Sequence, residues 1–264
     1  MTESLRSLCK RSLLLVSTAR GARCAIEHYR REKLVREWRR ERVAVVEEYF
    51  QSHTTRKLQI GTGPNALPGW LNTDLEPSHG TVAFLDARET FPFETTSFDY
   101  IFSEHCLEHL SYSDGQSALS ECYRVLKPGG RIRVATPNLD NFVALCGLTR
   151  NEMQDRYIKW YIDSFTPEFG SYAPGFVVNN LFRLWGHRFI YDPDTLALAM
   201  TRAGFCECRW FAPGASEDEN LRELEGHGKH TGDDMNRLET MVAEATRPVA
   251  VARPEPILAA SCRV

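Results

Sequence analysis

Lys57-Leu58-Gln59-Ile60-Gly61-Thr62-Gly63-Pro64 sets a short strand directly against two glycines. Glycine at such a turn lets the backbone, or a ligand lying on it, approach closely. Taken alone, the G-x-G string serves many ligands or none, so its meaning comes from its surroundings. Downstream, strand and helix signals alternate. Trp70–Leu75 and Thr81–Leu85 are strand candidates separated by the turn residues Pro77, Ser78 and Gly80. Phe98–Ser103 is a further strand, followed by a helix that Ser113 can cap and that buries Ala118, Leu119, Cys122 and Val125 or Leu126. Lys127-Pro128-Gly129-Gly130 stops that helix, and Arg131–Ala135 resumes the strand pattern. Asp192 caps a helix with Pro193 at its first position, running to Gly204. Strands near Glu207–Phe211 and Glu239–Ala245 close the series. Such alternation predicts an α/β, doubly wound, mostly parallel sheet. Sheets of that kind bind ligands beyond the carboxyl ends of their strands.

Two carboxylates sit at such ends. Asp74 closes the second strand, where a carboxylate can accept bonds from both hydroxyls of a ribose, and Asp86 closes the third. With Ala66 the glycine string also fits the relaxed G-x-G-x-x-A of nicotinamide-dinucleotide enzymes. Pro64 removes a turn donor, however, and Asp74 lies 13 residues past Gly61, against about 20 in that motif. An NAD-dependent oxidoreductase is therefore the weaker alternative.

The strings Asp86-Ala87-Arg88, Phe91-Pro92-Phe93 and Ser97-Phe98-Asp99 resemble the signature of class I S-adenosylmethionine-dependent methyltransferases acting on small molecules. The resemblance continues through Ser103-Glu104-His105-Cys106-Leu107-Glu108-His109 and Arg124-Val125-Leu126-Lys127-Pro128-Gly129-Gly130, and spans about residues 57–211. It implies a seven-stranded, Rossmann-like methyltransferase fold and S-adenosyl-L-methionine as cofactor. Gly61 and Gly63 would lie against the methionine portion, and Asp74 would bind the ribose. Asp86 and the Ala87 backbone would recognise the adenine edge. Glu104 and His105 would stand near the amino acid moiety and the transferred methyl. One departure is the link between the first two strands, where about ten residues leave room for no more than a turn or two of helix.

Methyl transfer from a sulfonium needs no metal, and none is expected; no cysteine pair shows metal-ligand spacing beyond the isolated Cys206 and Cys208. A base is needed where the acceptor must lose a proton, and His105, Glu104 and His109 are the catalytic candidates. If 104–109 is helical, His105 and His109 share a face. His187 can reach the cleft from the lid, while His227 and His230 lie in a polar loop without an assigned role. The expected acceptor is a hydroxyl, less readily an amine, of a small molecule or glycan precursor. A methyltransferase-fold binding or scaffold protein without turnover is the alternative of another class.

The chain divides into a basic helical arm (1–52), the α/β domain (53–247) and a proline-bearing tail (248–264). Residues 138–190 are rich in aromatics and read as a helical lid over one end of the sheet. Residues 1–57 hold 14 Lys and Arg against 7 Asp and Glu, while the remainder holds 18 against 28. In the arm, Leu34, Trp38, Val45 and Tyr49 mark one helical face, leaving Arg30, Arg31, Arg39 and Arg40 outside. A basic arm of this kind permits peripheral contact with an anionic membrane surface, whereas no specific nucleic-acid partner is expected. No run is long and apolar enough to span a bilayer, and a cytoplasmic location is expected.

Overall fold

A computed structural model describes residues 3–249, with side chains from residue 24 onward. Most of the expected tail lies outside the described residues. Helix α1 (Glu3–Ser52) is followed by strands β1 (Lys57–Ile60), β2 (Leu71–Asp74), β3 (Ala83–Phe84) and β4 (Phe98–Glu104). Then come α2 (Tyr112–Val125), β5 (Leu126–Pro137), α3 (Leu139–Ala144), α4 (Glu152–Phe165), α5 (Pro174–Arg183) and α6 (Pro193–Ala203). Strand β6 (Cys206–Phe211), helices α7 (Gly228–Thr231) and α8 (Asp233–Glu239), and β7 (Thr240–Thr246) complete the domain.

The seven strands form one sheet in the order β3-β2-β1-β4-β5-β7-β6. Only β7 runs antiparallel to its neighbours. The order reverses between β1 and β4, so the carboxyl ends of β3, β2, β1 and β4 line one edge side by side. A ligand crevice opens at such a reversal. Its four contributing positions run along the edge as Asp86, Asp74, the Gly61 loop and Glu104.

Local chemistry explains the element boundaries. The link from β1 to β2 contains no helix at all, shorter still than the sequence suggested. Helix α2 begins one cap earlier than Ser113: Ser111 accepts the Asp114 N–H. Asp192 and Thr195 form a capping box on α6, and Gly204 ends it at φ +106°. Lys127–Gly130 does not sit outside β5 but bulges within it, because pairing with β4 shifts between Phe98 and Tyr100. A Cβ on Gly130 would stand 2.8 Å from the Asp99 carbonyl oxygen, so only glycine fits there.

Helix α1 covers the β3 end of the sheet. Trp38 stacks on Phe84 at 5.9 Å, and the Tyr49 hydroxyl donates to the Lys57 carbonyl. Its inward face carries Val35 rather than Leu34, which is exposed. Two of the arginines expected outside are tied to the domain: Arg31 pairs with Glu76 at 2.5 Å and Arg39 with Glu89 at 2.7 Å. Both pairs are exposed and contribute little stability.

One polar group is buried at the centre of the sheet. Arg133 on β5 is fully enclosed, with Nη1 on Glu244 of β7 and Nε on Glu225 of the β6–β7 connection, each at 2.6 Å. Nη1 also donates to the Ala215 carbonyl at 2.8 Å. Breaking one partner of such a cluster strands a buried charge, which costs about 3–5 kcal/mol. Glu244→Gln is therefore expected to lower unfolding free energy by about that amount in urea titrations. Neutralising all three members together, as Arg133→Met with Glu225→Gln and Glu244→Leu, should cost less than the sum of the single changes.

Candidate active site

The crevice begins at the glycine loop. Gly61 and Thr62 both donate their N–H to the Thr73 carbonyl at 3.0 Å, and Gly63 donates to Asp74 Oδ2 at 2.8 Å. Gly61 has φ +71°, and a Cβ there would fall 2.7 Å from the Cys106 Cβ. Gly63 has φ +51°, with nothing within 4 Å of the space a Cβ would fill. The Thr62 hydroxyl is buried and has no protein partner. An open glycine beside an orphaned buried hydroxyl fits a polar ligand lying along this loop.

Asp74 also accepts from Glu76 N–H, yet an ionised carboxylate has about four lone-pair sites and retains capacity for a ribose. Asp86 is gripped by Arg88 through the backbone N–H, Nε and Nη2. Burial would raise its pKa, but Arg88 outweighs it and holds the carboxyl below the usual carboxylate range. Ala87 is half-buried against the sheet core. Cys106, packed under Gly61, is desolvated and its thiol pKa is pushed up to about 12, so it stays an inert thiol.

Glu104 ends β4 and is nearly buried. Its two oxygens accept the Gly226 and His227 backbone N–H groups, each at 2.9 Å. The β6–β7 connection therefore closes over the crevice at this residue, which the sequence did not foretell.

Beyond Glu104 the helical reading of 104–109 fails. His105 takes a left-handed φ of +44°, and only Leu107–His109 is helical, as a single 3₁₀ turn. His105 and His109 consequently do not share a face. His105 Nδ1 lies 3.1 Å from Glu108 Oε1 and Nε2 lies 3.1 Å from the Thr240 hydroxyl, which is also bonded to Asn236. Both ring nitrogens are thereby engaged by protein groups, and a charge on the ring would stand directly beside Glu108. Burial opposes that charge, but Glu108 outweighs it and raises the His105 pKa above the ordinary histidine range.

Glu108 is completely buried, and its second oxygen accepts from Thr136. His109 is exposed and packs edge-on against His187 at 4.9 Å. Glu108, His109 and His187 bring one donor atom each within 4.8 Å of one another. Both Glu108 oxygens are already engaged, by His105 and Thr136. His187 donates Nδ1 to the Leu181 carbonyl at 2.5 Å, and burial lowers its pKa.

The aromatic segment is both a satellite core and a cover. Phe142, Leu145, Tyr157, Ile158 and Val177 pack together beneath α3–α5. Between this layer and the strand ends lies a cavity of about 340 Å³. Phe142, Tyr157, Trp160, Tyr161, Phe165 and Trp185 form its walls, and His105, His187, His227, His230 and Glu239 supply its polar groups. His105 lies at the boundary between cavity and crevice. Of the three catalytic candidates from the sequence, His105 lines the cavity, whereas Glu104 and His109 are not among the lining residues; Glu104 is tied to the lining residue His227 through that residue's backbone N–H. Glu239 and His227 were not legible as site residues, since neither carries a local motif.

Residues 59–134 match the family described as Methyltransferase domain. A 44-residue stretch is 41% identical to phosphoethanolamine N-methyltransferase 2 of Caenorhabditis elegans, covering 17% of this chain and 10% of that protein. Among solved structures, Haemonchus contortus phosphoethanolamine N-methyltransferase 2 in complex with S-adenosyl-L-methionine is similar with a TM-score of 0.44 and 16% identity, over 79% of this chain and 52% of that one. A SAM-dependent methyltransferase from Archaeoglobus fulgidus gives a TM-score of 0.44 and 18% identity, over 82% of this chain and 94% of that one. The chain spans about half the length of the Haemonchus protein.

The His105–Glu108 pair carries a pH signature. The raised His105 contributes fully below the ordinary histidine range, and that share is lost as pH rises through its raised value. The Glu108 carboxyl is desolvated, yet His105 lowers its pKa, so its share is lost as pH falls through the depressed value. The Tm difference between wild type and Glu108→Gln should therefore be greatest between the ordinary carboxylate and histidine ranges and shrink as pH moves beyond either. A difference independent of pH would contradict the pair.

Proposed function

We propose that this chain, which carries a class I S-adenosylmethionine-dependent methyltransferase domain, transfers a methyl group to a hydroxyl of a small, ring-bearing acceptor. The observation that carries this reading is the aromatic cavity that opens beside His105, the residue after the crevice position Glu104. Its size suits a small molecule, and its walls offer flat apolar faces to a phenol or to the face of a sugar in a glycan precursor.

The residues divide the work. Gly61 and Gly63 give close approach to the methionine chain of the cofactor, with Thr62 as an added hydroxyl partner. Asp74 receives the ribose hydroxyls, and Asp86 with Ala87 receives the adenine edge. Glu104 meets the amino acid moiety with lone pairs left free by the Gly226 and His227 N–H groups. When bound, the cofactor supplies an activated methyl on a sulfonium leaving group. The protein's own task is to align the acceptor with that methyl, which is worth up to about 7–11 kcal/mol in well-oriented systems. The lid helices α3–α5 exclude water from the meeting point.

An amine acceptor is the second reading, favoured by the Glu239 carboxylate among aromatic rings and by the short similarity to a phosphoethanolamine N-methyltransferase.

Calorimetric titration with S-adenosylhomocysteine tests the cofactor site. Charge-assisted bonds contribute about 1.5–3 kcal/mol, so Asp74→Ala and Asp86→Ala should each weaken binding about tenfold or more. Unchanged affinity in both variants would remove the assignment. Transfer of labelled methyl to phenols, methyl glycosides and phosphoethanolamine then separates the acceptors. Hydroxyl products support the proposal, amine products alone favour the second reading, and tight binding without any product favours a scaffold role.

A further inference from the structure

We infer that His227 and Glu239 form the general base of the reaction, with His227 Nδ1 receiving the acceptor's proton. The inference rests on the reading of the chain as a hydroxyl methyltransferase.

Three groups stand in line across the cavity. His227 Nε2 lies 2.6 Å from Glu239 Oε1, and the other Glu239 oxygen accepts the Tyr157 hydroxyl at 2.7 Å. A carboxylate only accepts, so Nε2 carries the proton and the lone pair is on Nδ1. Nδ1 has no hydrogen-bond partner among the described residues, and the side chain remains 30% exposed where it lines the cavity. This is the arrangement of a base oriented by a third group: a carboxylate fixes the tautomer and supports the cation formed when the ring takes a proton. Tyr157 fixes the carboxylate in turn. Its phenol is desolvated, and the Glu239 charge raises its pKa further, so it stays a donor.

Placement distinguishes His227 from the other histidines of the cavity. Its own backbone N–H is bonded to Glu104, at the crevice end of the acceptor space. Its ring packs on that of His105 at a centroid distance of 4.0 Å. Both ring nitrogens of His105 are engaged, by Glu108 and Thr240, whereas His227 Nδ1 is without a partner among the described residues in the same corner of the cavity. A base must stand within hydrogen-bond reach of the proton that it removes, and His227 is where cofactor crevice and acceptor cavity meet.

In the transfer step the acceptor oxygen forms a bond to the methyl carbon as the methyl–sulfur bond breaks. The electron pair of that bond stays on sulfur, which becomes a neutral thioether. The hydroxyl proton passes to His227 Nδ1 and leaves to solvent after release. Glu239 and Tyr157 are positioning residues in this scheme.

Two measurements test the dyad, the first without any acceptor. Ring 15N shifts of neutral His227 should show a protonated Nε2 and a bare Nδ1; a proton on Nδ1 overturns the inference. The second compares 4-methylphenol with 4-nitrophenol at a pH where only the latter is ionised. His227→Gln and Glu239→Gln should each lower kcat for 4-methylphenol by about 10²–10⁴-fold while affecting the ionised phenol within about threefold. Affinity for S-adenosylhomocysteine should hold in both variants, since Gln keeps the backbone N–H to Glu104. Equal losses with both phenols would mark His227 as structural and overturn the base. If wild type binds the cofactor but methylates only amines, the hydroxyl reading fails, while the tautomer still judges the dyad.

Discussion

The buried guanidinium of Arg133 is the constraint on which the geometry of the crevice depends. It lies at the centre of β5, where a charge is tolerated only if every neighbour answers it. Glu244 answers from β7, and Glu225 answers from a connection that would otherwise be free to lie elsewhere. Fixing Glu225 fixes the next two residues, Gly226 and His227, whose N–H groups then fall on Glu104. One desolvated charge in the sheet therefore determines where the roof of the crevice sits and where a histidine ring meets the cavity.

A second network runs beside the first. His105, Glu108, Thr136, Thr240 and Asn236 are joined by consecutive hydrogen bonds beneath the strand ends. Every member is paired, and a fully satisfied buried network of this kind rigidifies its surroundings. It also engages both ring nitrogens of His105. The task of accepting a proton then falls to a ring whose lone pair is still free. Two histidines in contact thus differ in their hydrogen bonding: His105 is held through both nitrogens, while His227 meets Glu239 through a single one.

Much of this architecture is legible in the sequence, for identifiable reasons. The order of strands, the glycine loop and the carboxylates Asp74 and Asp86 are local signals: each is a residue type required at a strand end within a few positions. The lid can be recognised by its aromatic content, though composition alone does not separate a packed core from a cavity wall. Residues 138–190 supply both. Where sequence and structure differ, the cause is a distant partner. Spacing allows a helix over 104–109, but the left-handed turn at His105 is held by Glu108 and Thr240, and Thr240 is far away in the chain. The composition of Lys127–Gly130 suits a stop before β5, whereas pairing with β4 carries the strand through it as a bulge.

The sequence by itself determined the alternating α/β pattern, the crevice at the strand ends and the class of cofactor chemistry that its motifs resemble. These depend on short-range rules about turns, caps and periodicity. Only the tertiary structure decided that Glu104 is roofed by the β6–β7 connection, that Thr240 closes on the His105 ring, and that His227 stands beside it with Glu239 behind. Those facts depend on pairings between residues more than a hundred positions apart, such as Glu104 with His227 and Arg133 with Glu244. No local spacing encodes such pairings, because they arise when the closed sheet brings buried charges together and each must find a partner.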